Sequence, residues 1–128
     1  MFREIKMKMT DGSVQNIPFM ATGSTPIRYR MLYHADLTKD LTKLINASGT
    51  ELSEDADLIV LDRLAFLMNC HAEHKDMNAL DPNAIVDWLD KFEAGEMLGH
   101  VNEIISIYLG NKESTSEPKK DDEPLTEK

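Results

Sequence analysis

LDPNAIVDWLDKFEAGEMLGHVNEIISIYLGN, residues Leu80 to Asn111, decides the fold class. Asp81 before Pro82 reads as an N-cap with proline at the first helical position, where its missing N–H costs nothing and its φ already suits a helix. Ile85, Trp88, Leu89 and Phe92 then recur at the i, i+3, i+4, i+7 spacing of one buried face. After a break at Glu93-Ala94-Gly95, Met97, Val101, Ile104, Ile105 and Tyr108 repeat that spacing, and Gly110-Asn111 stands where a left-handed C-cap belongs. The stretch predicts two helices, and no residue in either is placed for catalysis.

Working outward, Leu58 to about His74 is the longest periodic run upstream. Leu61, Leu64, Ala65, Met68 and Ala72 form one face, and Ile59, Val60, Phe66 and Leu67 widen it. So broad a stripe suits the central helix of a small helical domain. Further back, Ser24-Thr25-Pro26 opens a helix through about Tyr33, with Ile27 and Met31 as its apolar face and Arg28 and Arg30 in solvent. His34-Ala35-Asp36 breaks it. Leu37, Leu41, Leu44 and Ile45 then resume the helical period to Asn46 or Ala47, followed by a loop at Ser48-Gly49-Thr50.

The N-terminus has a different period. Glu4 to Met9 alternates every two residues, which puts Ile5, Met7 and Met9 on one face of a strand. Asp11-Gly12 supplies a tight turn, and Val14 to Ala21 a partner strand with Ile17, Phe19 and Ala21 inward and Pro18 marking an edge. A lone hairpin is marginal in water, so this one must pack on the helices or pair with another chain. The expected architecture is a mostly α domain over 1–111, about five helices with an N-terminal β-hairpin of strands near 3–9 and 14–21. Residues 112–128, KESTSEPKKDDEPLTEK, have one large apolar side chain, Leu125, and are expected to stay disordered.

Composition narrows the function. Of 128 residues 41% are hydrophobic but only 6% aromatic, and eight are methionine, so the core is expected to be aliphatic, thioether-rich and adaptable. Net charge is −9, and the tail holds four basic and six acidic residues, so the body keeps about −7. Nucleic-acid affinity comes from clustered Lys and Arg that displace counterions, so an acidic body argues against such a partner. No apolar run reaches the length of a membrane span, and MFREIKMKMT lacks the apolar core of a signal peptide. The single cysteine, Cys70, rules out an intramolecular disulfide and suits a reducing cytoplasm.

One constellation invites a metal. Cys70 and His74 are one turn apart on a helix, with His71 and Glu73 beside them. A structural zinc site needs four protein ligands and a catalytic one usually three plus water, and His34 and His100 have no ligand spacing to complete either. The plainer reading makes Cys70 a small buried hydrophobe and the histidines helix-end residues facing the macrodipole. Asp87, Asp90, Glu93, Glu96 and Glu103 fall mostly away from the apolar stripes and read as a solvated face. Phosphate-loop, GxSxG, HExxH and EF-hand patterns are absent. No catalytic, metal or cofactor residue is assigned, and the protein is expected not to be an enzyme. Trp88, Phe92, Met97 and Tyr108 are the candidate partner contacts, because aromatic side chains dominate interface hot spots, although Trp88, Phe92 and the Ile104 to Leu109 face read first as core, with any exposed remainder as contact.

Taken in order, Thr25-Pro26-Ile27-Arg28-Tyr29-Arg30, Trp88-Leu89-Asp90-Lys91-Phe92 and Ile107-Tyr108-Leu109-Gly110-Asn111 resemble the tail assembly chaperones of long-tailed bacteriophages, over about residues 2 to 120. The resemblance implies a protein of the host cytoplasm that binds the long helical tape measure protein and keeps it soluble while tail tube subunits are recruited. It also implies absence from the mature virion. Such chaperones are commonly extended by programmed ribosomal frameshifting into a longer product that contacts the tube protein, and Lys119-Lys120 is a dipeptide that an adenine-rich slippery site encodes. Self-association through the hairpin edge is a further expectation. The alternative from another class is a small acidic adaptor or regulator of a phage or other mobile element.

Overall fold

In a computed structural model, residues 1–45, 52 and 56–110 are described. The chain starts with an antiparallel hairpin, β1 (Phe2–Lys8) and β2 (Val14–Met20), in the register Ile5↔Ile17 and Met7↔Gln15. The alternation expected from the sequence holds: Ile5, Met7, Met9, Ile17, Phe19 and Ala21 are buried on one face. Gly12 takes φ 90° in the turn, a value that side chains with a Cβ rarely adopt. Asp11 accepts hydrogen bonds from the Ser13 N–H and hydroxyl at 2.8 and 2.6 Å, which holds that turn.

Among the described residues six helices follow: α1 (Thr25–Tyr33), α2 (Leu37–Leu44), α3 (Ile59–Ala72), α4 (Ala84–Leu89), α5 (Glu96–Gly99) and α6 (Val101–Leu109). The central helix of the sequence reading is α3, which touches the inner face of the hairpin and packs against all the other helices. Leu61, Leu64, Ala65, Leu67 and Met68 on α3 form the middle of a core closed by Phe19 and Met7 below and by Leu37, Leu44, Ile104 and Ile107 at the sides. This is the mostly α, hairpin-plus-helices architecture expected.

Both edges of the hairpin are engaged. The Thr10 N–H donates to the Lys91 carbonyl at 2.9 Å and the Glu93 N–H to the Lys8 carbonyl at 3.1 Å, with Met9 and Phe92 bridged between them. Residues 91–93 thus lie along the end of β1 as a short third strip. Glu96 Oε2 takes the Lys8 N–H at 2.9 Å. On β2, Pro18 has no N–H to offer and its carbonyl accepts from Asn69 Nδ2 at 2.9 Å.

Six details differ from the sequence reading. Asp81 does not cap a helix: its side chain accepts from the Asn83 N–H and its carbonyl from the Ala84 N–H, so Asp81-Pro82-Asn83 is a turn and α4 begins only at Ala84. The single last helix is two, because Gly95 at φ 83° sets the start of α5 and His100 interrupts the helix with φ −114° and ψ 22°. Six helices therefore replace about five. Ile59, expected to widen the buried stripe, lies 37% exposed at the first turn of α3.

The fourth difference concerns α1. Ile27 and Met31, taken as its buried face, are 61% and 64% exposed, and Thr25 and Tyr29 are buried instead. Helix α1 carries two rows one turn apart, and the row with tyrosine faces inward because its hydroxyl finds a partner there: Tyr29 Oη donates to Asp40 Oδ2 on α2 at 2.8 Å. At the start of α1, Ser24 makes no side-chain cap, and the buried Thr25 hydroxyl oxygen accepts from the Thr22 N–H at 2.9 Å. Fifth, α2 stops at Leu44 with Ile45 extended, short of the expected Asn46 or Ala47; sixth, α4 stops at Leu89, so Phe92, expected on its helical face, bridges Met9 instead. The other helix ends agree. His34 adopts φ 56° and ends α1, Asp36 caps α2 by accepting from the Lys39 N–H, and Gly110 ends α6 at φ 75°. The expected loop at Ser48-Gly49-Thr50 and the tail from 112 lie outside the described residues.

Candidate functional site

Three of the four candidate contact residues, Trp88, Phe92 and Met97, lie around α4 and α5, and Tyr108 is on α6. Trp88 projects from α4 between two other rings, at 5.5 Å from Phe66 and 4.8 Å from Phe92, both edge-to-face. Its indole N–H donates to Asn69 Oδ1 at 3.0 Å. Asn69 is a buried polar residue of α3, and its other amide atom holds the Pro18 carbonyl, so one side chain ties β2, α3 and α4 together. Nothing in the pattern of α3 singled out Asn69, since it interrupts an apolar run without breaking its period.

Phe92 and Met97 are both buried, and they stand in the wall of a cleft of about 280 Å³ between the first turns of α3 and α5. Leu61 and Leu89 complete the floor, and Leu58 and Leu98, 41% and 40% exposed, stand at its mouth. Asp62 and Glu93 are the charged residues lining it. Burial raises the Asp62 pKa above the ordinary carboxylate range. Trp88 does not line this cleft. It borders a second hollow of about 290 Å³ with Phe66, Cys70, Glu73, Lys75 and Lys91. Tyr108 lines neither and packs half-buried against the core, where burial raises its pKa. The structure thus brings Phe92 and Met97 into one cleft, puts Trp88 beside a neighbouring one and sets Tyr108 apart.

Cys70 is buried beside Phe66 and Ile85, and burial pushes its thiol up to about 11. His71 is lowered, by burial first and then by Arg28 and His74. Among the described residues no group of three or more His, Cys, Asp or Glu side chains gathers around a point that could hold a metal ion. A thiolate nucleophile needs a lowered thiol pKa, and Cys70 is shifted the other way.

A separate charged cluster joins α5 and α6 to the hairpin. His100 Nδ1 lies 2.6 Å from Glu103 Oε1 and Nε2 lies 3.2 Å from Glu96 Oε2. Arg3 on β1 reaches Glu103 Oε2 at 3.3 Å. Periodicity left Glu96 and Glu103 as solvated carboxylates, but they hold the kink at His100 in place.

Among the described residues, no helix is long and apolar enough to cross a membrane. Family models, characterised proteins and solved structures offer no match to this chain.

Proposed function

We propose that this protein is a tail assembly chaperone of a long-tailed bacteriophage, acting in the host cytoplasm to bind the tape measure protein and keep it soluble while tail tube subunits are recruited. In this reading it leaves before the virion is complete, and a longer frameshifted product carries the contact with the tube protein.

The observation that carries the reading is exposed apolar surface on an acidic body. Ile27 and Met31 on α1, Leu58 and Ile59 at the start of α3, Val86 on α4 and Leu98 on α5 all stand in solvent. Contiguous exposed apolar side chains mark surfaces that meet other proteins, and Ile27 with Met31 one turn apart on α1, and Leu58 with Leu98 at one cleft, are neighbours of that kind. A helical client presents apolar stripes that such surfaces cover, and the charge of −9 keeps the resulting complex dispersed. The order of the motifs around Thr25-Pro26, Trp88 to Phe92 and Leu109-Gly110-Asn111 adds the phage context through resemblance.

Co-expression with the tape measure protein of the same genome is the test. The expected result is a rise in its soluble yield and co-purification of the two. If neither occurs, and the gene neighbourhood lacks a long helical reading frame downstream, the adaptor reading takes precedence.

A further inference from the structure

We infer that the cleft between the first turns of α3 and α5 seats a basic amphipathic helix of a partner. The helix lays its apolar stripe on Leu58, Phe92, Met97 and Leu98 and brings a lysine or arginine to Asp62 and Glu93. The inference rests on the chaperone reading for the source of that helix, but its chemistry comes from the cleft alone.

Two observations specify the occupant. The first is shape and polarity: a cleft of about 280 Å³ has an apolar floor of Leu61, Leu89, Phe92 and Met97 and two exposed leucines at its mouth. A groove of that kind takes the i, i+3, i+4 stripe of a helix. The second is charge. The charged lining residues are both acidic, and Asp57 precedes Leu58 at the same end of α3. Asp62 is half-buried, and among the described residues it has neither an ion-pair partner nor a side-chain hydrogen bond. Burial raises its pKa and no protein cation among the described residues faces it, so a carboxylate there is partly desolvated without an ion-pair partner. A cation arriving from a partner supplies what the fold leaves out, and it rejects an acidic helix by like-charge repulsion.

Two further clefts give no such direction. The hollow beside Trp88 mixes Glu73 and Asp87 with Lys75 and Lys91. The one beside Met31 is lined by Arg28, whose guanidinium already reaches Ser24 and Asn78.

The test uses the full chain and two synthetic helical peptides of about five turns. Both carry a leucine stripe, flanked by lysine in one and by glutamate in the other. Binding is measured by titration calorimetry, and the contact is mapped by photocrosslinking from one leucine position. The lysine peptide is expected to bind at least about tenfold more tightly than the glutamate peptide and to crosslink to the first turn of α3 and to α5. Leu58→Ser with Leu98→Ser should weaken it about tenfold or more, and Asp62→Asn about threefold or more, whereas Val14→Ser, at an exposed apolar residue of β2 outside the cleft, should leave it within about twofold. Asp62→Asn removes a desolvated charge, so it keeps the test informative if the leucine pair lowers stability. Equal binding of the two peptides, crosslinks elsewhere, or a loss with Val14→Ser as large as that with the leucine pair would overturn the inference. Failure of the tape measure co-expression with these peptide results intact removes the chaperone reading and leaves the cleft standing.

Discussion

Asn69 Oδ1 accepts the Trp88 indole N–H at 3.0 Å while Asn69 Nδ2 donates to the Pro18 carbonyl at 2.9 Å. One buried amide thereby satisfies a donor on α4 and an acceptor on β2. Replacing it with an apolar residue leaves both without a partner, and an unsatisfied buried group costs about 1–3 kcal/mol. Asn69→Leu is expected to destabilise the protein by about 2–4 kcal/mol in urea titrations. Trp88→Phe keeps a ring between Phe66 and Phe92 but loses the donor. The double variant should cost less than the sum of the singles by about 0.5–2 kcal/mol. Strict additivity would mean that the amide and the indole act independently.

Tyr29 and Tyr33 stack edge-to-face at 5.2 Å but their hydroxyls differ. Tyr29 Oη donates to Asp40, whereas the buried Tyr33 hydroxyl has no hydrogen-bond partner among the described residues. Removing each oxygen should therefore have opposite signs. Tyr29→Phe is expected to cost about 1–2 kcal/mol and Tyr33→Phe to be neutral or stabilising by up to about 1 kcal/mol. Arg63 lies 4.9 Å from the Tyr33 ring centroid, and a phenylalanine keeps that contact. Thermal unfolding of the two variants side by side decides it, and a clear loss for Tyr33→Phe would point to a partner for that hydroxyl.

The His100 cluster makes stability depend on pH. Burial alone lowers the His100 pKa, but hydrogen bonds to Glu103 and Glu96 outweigh it and the net shift is upward. A raised pKa stabilises the fold fully below the ordinary histidine value of 6.5, and that contribution disappears as pH rises through the folded-state value. Glu96 is lowered, first by the Lys8 N–H and also by His100, so its share appears above the ordinary 4.5 and is lost as pH falls through the lowered value. Arg3 also faces Glu103. His100→Gln should therefore lower the melting temperature more at about pH 5.5 than at about pH 8.5, by an amount worth up to ~1 kcal/mol. An equal effect at both values would show that the imidazole acts without its charge.

The exposed row of α1 predicts tolerance. Ile27→Ser and Met31→Ser remove side chains that are mostly in water, so each should change stability by less than about 0.5 kcal/mol. Had these residues formed the buried face of α1, the same changes would cost about 2 kcal/mol or more each. Chemical unfolding separates these outcomes without ambiguity.

Much of the fold was legible because two periods were clean. A period of two over Glu4 to Met9, an Asp-Gly turn and a long helical run from Leu58 place the hairpin and the central helix. The helix starts were less legible. Asp81-Pro82 carries the signal of a cap, but the Asp81 side chain serves a turn two residues ahead of the actual N-cap position, and only the paired backbone reveals that. The break at His100 had no signal of its own, since a histidine beside glycine fits a helix end or a loop equally well until Glu96 and Glu103 are seen to hold it. Of the candidate contacts, Phe92 and Met97 meet in one cleft, but Asp62 and Leu98, which help give the cleft its character, carry no signal in the local pattern, and Leu58 only opens the long helical run.

By itself, the sequence determined the secondary elements and the inner face of most of them, because local spacing decides which side chains share a side of a helix or strand. Tertiary structure alone decided what each face meets. Tyr29 goes inward past Ile27 and Met31 because Asp40 waits for its hydroxyl, and Asn69 can sit in the core because Pro18 and Trp88 arrive from elements 51 residues before it and 19 after it. The cost of burying a polar atom depends on a partner distant in the chain, and no local pattern records where that partner will be.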